Sequence, residues 1–271
     1  MSALTVKART ALALGVPNLW RAARYRVGLK LGVHSVLRIQ ASIPEGSFFS
    51  DALPIKASQL TASRQWSKNH CYFGWYRVSD NSVPNWHENP FARGAVKQPA
   101  RPWWLIPDFD ETLGDIKAVW EASRFDWVLT FAQRALNGEP AGLARLNAWL
   151  ADWVKFNPPY RGPNWKCGQE ASIRVMHLAM AAALLTQHRQ SARPLQALVR
   201  AHLRRIVPTI HYAVAQDNNH GTSEAAALFI GGSWLFVLGD SEGDNSLQLG
   251  RKWLENRAAR LIEEDGSFSQ S

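Results

Sequence analysis

Residues 195–230 read LQALVRAHLRRIVPTIHYAVAQDNNHGTSEAAALFI, a dense polar knot between two apolar runs. On the near side, Leu195, Leu198, Val199, Leu203, Ile206, Ile210 and Val214 recur at helical spacing. On the far side, Ala225 to Ile230 opens a second run of high helix propensity. An ordinary turn between helices needs a Gly, a Pro or one capping residue. This turn adds the amides of Gln216, Asn218 and Asn219, a carboxylate and the His220 imidazole. A helical scaffold presents a site in this way, by concentrating polar groups where two helices meet.

Working outward, the pattern predicts helices over 115–137, 141–156, 167–189, 195–216, 222–238 and 247–263, the fourth kinked at Pro208. Their links are turn-like: Asn137-Gly138-Glu139-Pro140, then Asn157 to Asn164, then Arg193-Pro194. Short links make antiparallel neighbours, so the expectation is all-α, with helical hairpins side by side in an α/α toroid or a solenoid. Periodicity does not choose between those two.

Upstream the chain changes character twice. Residues 1–40 form a basic helical arm in which Leu19, Trp20, Tyr25, Val27, Leu29 and Leu31 mix with Arg21, Arg24, Arg26 and Lys30. Such a helix lies on a surface, either the rest of the protein or a membrane. Residues 41–110 are irregular and rich in Pro and Trp, expected to pack on the helices of 111–271. Within them Tyr72 to Val78 reads as one short β element and Asn85 to Pro90 as a loop.

The 271 residues suffice for one large or two modest domains with a buried core. Residues 1–110 hold 14 Lys or Arg against 6 Asp or Glu, while 111–271 hold 17 against 16. The first 40 residues carry seven basic groups and no acid, which attracts polyanions: acidic polysaccharide, nucleic acid or an anionic membrane surface. Nucleic acid is set aside, because no recognition motif or basic recognition helix accompanies the charge. Cys71 and Cys167 have no metal-like spacing, though one bridge is open to them in an oxidising compartment. The Ala11 to Leu14 stretch is too short for a convincing signal peptide, and no apolar run of about 18 residues exists to span a membrane. Phosphate loops, nucleophile elbows and zinc-helix motifs are absent, so no nucleotide, flavin or metal is expected.

Of the 13 Trp, Trp120, Trp127, Trp149 and Trp153 sit in helical patterns and read as core. Trp86, Trp103, Trp104 and Trp165 sit in or beside loops, where a flat ring can stack on a sugar. His220, flanked by Asn218 and Asn219, is the leading candidate for chemistry. Asn219 is either a helix N-cap or an amide turned to a ligand. Glu170 and Arg174, four apart, share a helix face, so Arg174 is either locked by Glu170 or aimed into a polar pocket. His87, within Trp86-His87-Glu88-Asn89-Pro90, is an intermediate candidate, and His177 reads as a core histidine.

Five blocks occur in order: Asn85 to Pro90, Gly114 to Phe125, Trp165-Lys166-Cys167-Gly168-Gln169-Glu170-Ala171-Ser172-Ile173-Arg174, Asn218-Asn219-His220, and Glu264-Asp265-Gly266-Ser267-Phe268. Together they resemble the N-terminal part of the heparinase II/III family of polysaccharide lyases, from about residue 80 onward. The resemblance implies an (α/α) toroid followed by a β-sandwich, with β-elimination on a uronic-acid polysaccharide such as a glycosaminoglycan or alginate. In that chemistry the C5 proton leaves only when the neighbouring carboxylate is neutralised, a base removes the proton, and an acid protonates the departing oxygen. By resemblance Asn219 neutralises the carboxylate and His220 is its helper or the base. Glu170, Arg174, Asn218, Trp86 and His87 would line the cleft, and Trp165 would offer a stacking face.

In the family a general-acid Tyr follows the Asp-Gly-Ser block, and no residue after Phe268 matches it. The β-sandwich, which can carry a metal in relatives, has no counterpart either. The expectation is therefore an incomplete toroid, weak or inactive alone, with no cofactor and with apolar faces prone to self-association. The resemblance implies a periplasmic setting. The competing reading is a non-catalytic binding module for acidic glycans.

Overall fold

Consecutive helices in the second half pair so closely that glycine backbone meets backbone. Helix α8 (Asn219–Val237) and helix α9 (Ser241–Leu261) are joined by a short turn. A Cβ placed on Gly243 would lie 2.4 Å from Phe236 N, one on Gly232 2.4 Å from Leu247 N, and one on Gly250 2.3 Å from Phe229 N. The pairings run in opposite senses along the two helices, which makes the hairpin antiparallel. Helices α3 (Asp126–Leu136) and α4 (Pro140–Phe156) repeat the device, with Gly142 against Phe131 O and Ala135 N. Between these hairpins lie α5 (Gly168–Leu184) and α6 (Arg193–Ile206), and the first helices α3, α5 and α8 pack in a row.

The computed structural model describes residues 3–51, 70–92 and 94–268, and the protein is mostly helical. Part of the irregular zone, residues 52–69, lies outside the described residues. The remainder of that zone holds more β structure than the single element expected. Three antiparallel two-stranded ribbons occur: β1 (Cys71–Tyr72) with β2 (Tyr76–Arg77), β3 (Glu88–Asn89) with β4 (Gly94–Ala95), and β5 (Phe109–Asp110) with β6 (Gly114–Asp115). The first ribbon turns through Phe73 and Gly74, both at positive φ, a geometry whose twist suits a hairpin. The second ribbon lies in what reads from sequence as a loop.

Two expected helices are broken. The 115–137 stretch is β6, a short helix α2 (Lys117–Trp120), a 3₁₀ turn over Glu121–Ser123, and then α3. Phe125 takes the left-handed conformation at the break, with φ 69°. Such strain costs on the order of 1 kcal/mol for a non-glycine residue. Full burial of its ring against Trp127, Trp153 and the Arg174 guanidinium offsets that cost. The 195–216 stretch ends α6 at Ile206, passes through a 3₁₀ turn containing Pro208, and resumes as α7 (Ile210–Ala215). Pro208 lacks the N–H an unbroken helix needs, so the kink is a full interruption.

The basic arm is helix α1 (Ala3–Lys30), bent at Gly15 (φ 72°, ψ 159°) just before Pro17. Its later half packs on the protein itself. The Tyr25 and Tyr212 rings stack at 4.0 Å, and the Arg21 guanidinium lies 5.5 Å from the Trp253 ring centre. No helix among the described residues is long and apolar enough to cross a membrane.

The core is aromatic. Trp86, Trp127, Trp149, Phe131, Trp153 and Phe125 meet one another tilted or edge to face, at centroid separations such as 4.9 Å for Phe131 and Trp149. Rings prefer these geometries because the positive edge of one meets the negative face of the next. The helical zone is thereby locked to the ribbon zone, since Trp86 comes from the chain before β3.

Candidate functional site

The polar knot is built by capping and by a clamp. Asn218 is the N-cap of α8, its Oδ1 accepting from the His220 N–H at 3.0 Å. Asn219 is thus the first helical residue and not the cap. It is exposed, and its side-chain amide makes no hydrogen bond among the described residues. Just upstream, Asp217 sits at φ 51° and is 6% exposed. It accepts from Arg257 Nη1 at 2.6 Å and from Arg260 Nη2 at 2.6 Å, both in the last turns of α9. Burial alone would raise the Asp217 pKa, but the two guanidinium groups hold it below the usual carboxylate range.

His220 faces a cleft of about 320 Å³ where the start of α8 meets the start of α5. Tyr25 of α1 and Tyr212 of α7 form one side, and Trp103 and Trp104 another. Trp103 is covered by the Arg205 guanidinium at 4.0 Å, whereas Trp104 is only half-buried and leaves a ring available. Lys166 enters from the turn before α5, held by Ile106 O at 2.6 Å and Asp108 at 3.1 Å. Arg205 is buried and donates to Trp165 O, Lys166 O and Thr209 Oγ1, with no carboxylate partner among the described residues.

The floor of the cleft holds an unusual carboxylate. Glu224 is 3% exposed, its Oε1 lies 3.9 Å from His220 Nδ1, and its Oε2 is buried with no hydrogen-bond partner among the described residues. It packs closely on Gly168, the first residue of α5, where an added Cβ would lie 2.5 Å from its Cδ and would displace the carboxyl group. Burial raises the Glu224 pKa, and His220 and Arg205 draw it part of the way back. For His220 burial acts downward, but Cys167 and Glu224 outweigh it and raise the pKa to about 10. The imidazole is therefore a cation at neutral pH. A protonated histidine, a lysine and the N–H-rich starts of two helices make the cleft favourable to an anion.

The other residues singled out from the sequence lie elsewhere. Arg174 is 0% exposed, donating to Asn164 O at 2.6 Å and His202 Nε2 at 2.8 Å among the Phe125, Trp153 and Trp165 rings. Glu170 does not pair with it. Glu170 takes a two-pronged bond from Arg124, Nε and Nη2 each at 2.9 Å, and Arg124 also pairs with Glu121. Trp165 is 0% exposed with its Nε1 on Asn157 O, so it has no free stacking face. Trp86 is buried and donates to Asp152 Oδ1 at 2.7 Å. His87 is buried with Nε2 3.1 Å from Asn157 Oδ1, and burial lowers its pKa. These five side chains are buried with the partners named, and none of them is among the residues that line the cleft at His220.

Sequence reasoning missed Glu224 as a partner of His220, although the two are four apart in a helix and so share a face. It also missed Tyr25, Cys167, Lys166 and Arg205, which only tertiary packing brings to the cleft. Cys71 and Cys167 are free thiols. Among the described residues no three or more His, Cys, Asp or Glu side chains are placed to hold a metal. No protein-family model, curated protein or solved structure matches the chain.

Proposed function

We propose that the cleft binds a uronic-acid unit of an acidic polysaccharide, on a scaffold of the heparinase II/III lyase type. The observation that carries this reading is the His220 imidazole, held protonated in the cleft with Lys166, with the exposed Asn219 next to it in the chain at the start of α8, outside the residues that line the cleft. Those groups neutralise a sugar carboxylate, the first requirement for removing the C5 proton by β-elimination. Trp104 offers a ring to the apolar face of a pyranose. The row of hairpins α3–α4, α5–α6 and α8–α9 is read as an arc of an (α/α) toroid, with the cleft at one end of its first-helix row.

His220 acts in this proposal as the carboxylate's helper and not as the base, because a group with a pKa of about 10 already holds its proton at neutrality. The same observation favours a second reading, a module that binds acidic glycan without turning it over. One experiment separates the two. The chain is mixed with heparan sulfate, alginate, hyaluronan and bacterial exopolysaccharide, and both absorbance in the unsaturated-uronide band and binding are followed. A rise abolished by Asn219→Ala supports elimination. Salt-sensitive binding without a rise supports the module. Absence of both sinks the carbohydrate reading.

A further inference from the structure

Helix α1 is docked in the reverse sense for a helix in water. Its inward face carries Asn18, Arg21, Tyr25 and Gly28, packed on α7 and α9. Its outward face carries Val16, Trp20, Ala23 and Val27, continued by Leu31 just past the helix end. Val16 is 78% exposed, Trp20 68%, Val27 53% and Leu31 68%. The steps of four, three, four and four residues put these side chains in one stripe. A helix on a soluble protein normally turns its apolar stripe to the core and its charges to water. Here the apolar stripe meets water, and Arg24, Arg26 and Lys30 are exposed along its flanks.

We propose that this face of α1 docks on an anionic lipid surface, with the helix axis in the plane of the interface. Trp20, Val27 and Leu31 enter the boundary between headgroups and acyl chains, where an indole ring is well accommodated. Arg24, Arg26 and Lys30 reach the lipid phosphates, their alkyl stems lying along the apolar boundary. Two observations together select this occupant. An apolar protein partner would use the stripe but leave unrelieved the charge of an arm with seven basic residues and no acid. A dissolved polyanion would use the charge but leave the stripe in water. A bilayer carrying fixed anions satisfies both. Tyr25 and Leu29, on the inward side of the same helix, line the cleft at His220, so docking holds the cleft beside the membrane. The inference is independent of what the cleft binds.

The test is flotation of the full chain with vesicles of phosphatidylcholine alone and of phosphatidylcholine with phosphatidylglycerol. The parent is expected to float with the anionic vesicles and to bind neutral ones about a hundredfold more weakly. Trp20→Asp combined with Val27→Asp is expected to weaken anionic-vesicle binding by about tenfold or more, with circular dichroism unchanged and Tm little changed because both side chains are more than half exposed. Failure of the parent to float on anionic vesicles overturns the proposal. Equal binding by the parent and the double variant also overturns it, since charge alone would then suffice. So does a dimer in sedimentation equilibrium that the double variant dissociates while vesicles are ignored, which would make a second copy the occupant.

Discussion

Gly250→Ala sets helix propensity against packing, and the two have opposite signs. Gly250 lies inside α9, where alanine in place of glycine gains about 1 kcal/mol by propensity. The added Cβ, however, would sit 2.3 Å from Phe229 N and 2.8 Å from both Ala225 O and Leu228 C. Ordinary contact needs about 3.5 Å. All three atoms belong to the α8 backbone, so no side chain can swing away and the two helices must separate by about 1 Å to regain contact distance. Overpacking of this kind costs about 1–3 kcal/mol, and against rigid backbone the upper end applies. After the propensity gain the net loss is about 2 kcal/mol, which lowers Tm by about 4–8 °C for a chain of this size. The assay is thermal unfolding followed by circular dichroism, with acidic-polysaccharide affinity as a second readout because α8 carries Asn219 and His220. A Tm that stays level or rises would refute the reasoning, since propensity would have won and the helices could not be in backbone contact.

Other outcomes follow from single groups. His220→Gln is expected to weaken acidic-polysaccharide binding about tenfold at pH 7, as one charge-assisted contact is lost. With His220 intact, binding should stay level through neutrality and fall as pH approaches the raised value of about 10, and a fall centred near the ordinary histidine range would contradict the Glu224 and Cys167 pairing. The stability from that pairing has the same sign: full below the ordinary histidine pKa, lost as pH rises through the raised one. Arg174→Ala should destabilise by about 3–5 kcal/mol in denaturant titration, because His202 and two carbonyls lose a buried donor; near-wild-type stability with lost binding would return Arg174 to the cleft. Asp217→Asn should remove a stability contribution that is present above the ordinary aspartate pKa and lost as pH falls through the lowered folded value, and acid unfolding of parent and variant should converge at low pH.

What was legible in the sequence was local. The 3.6-residue pattern located the helices from Ala141 onward, though 195–216 is broken at Pro208, α5 ends at Leu184 and α9 starts already at Ser241, and a cluster of amides and charges marked the junction before α8. Breaks were harder, because Phe125 adopts its left-handed turn for tertiary reasons: its ring is wanted by Trp127 and Trp153. Pair assignments failed for the same reason. Glu170 and Arg174 are helical neighbours by spacing, yet Arg124 lies closer to Glu170 in space, and Arg174 turns inward to the aromatic rings. Loop tryptophans looked like sugar platforms, but Trp86 and Trp165 are swallowed by a core that sequence distance conceals. Glu224 could have been found from its spacing to His220. Tyr25, nearly two hundred residues upstream in the chain, could not.

The clamp on Asp217 has a consequence for the order in which the protein acquires its site. During synthesis α7, the junction and the start of α8 leave the ribosome well before Arg257 and Arg260. Until α9 docks, the Asp217 carboxylate lacks both of those partners, while the turn keeps its backbone bonds from Gln216 N to Ala213 O and from Asp217 N to Val214 O. The site is consequently one of the last features to mature, however early its residues appear. A nascent chain halted before Arg257 would carry every cleft residue named above but not the clamp that holds Asp217.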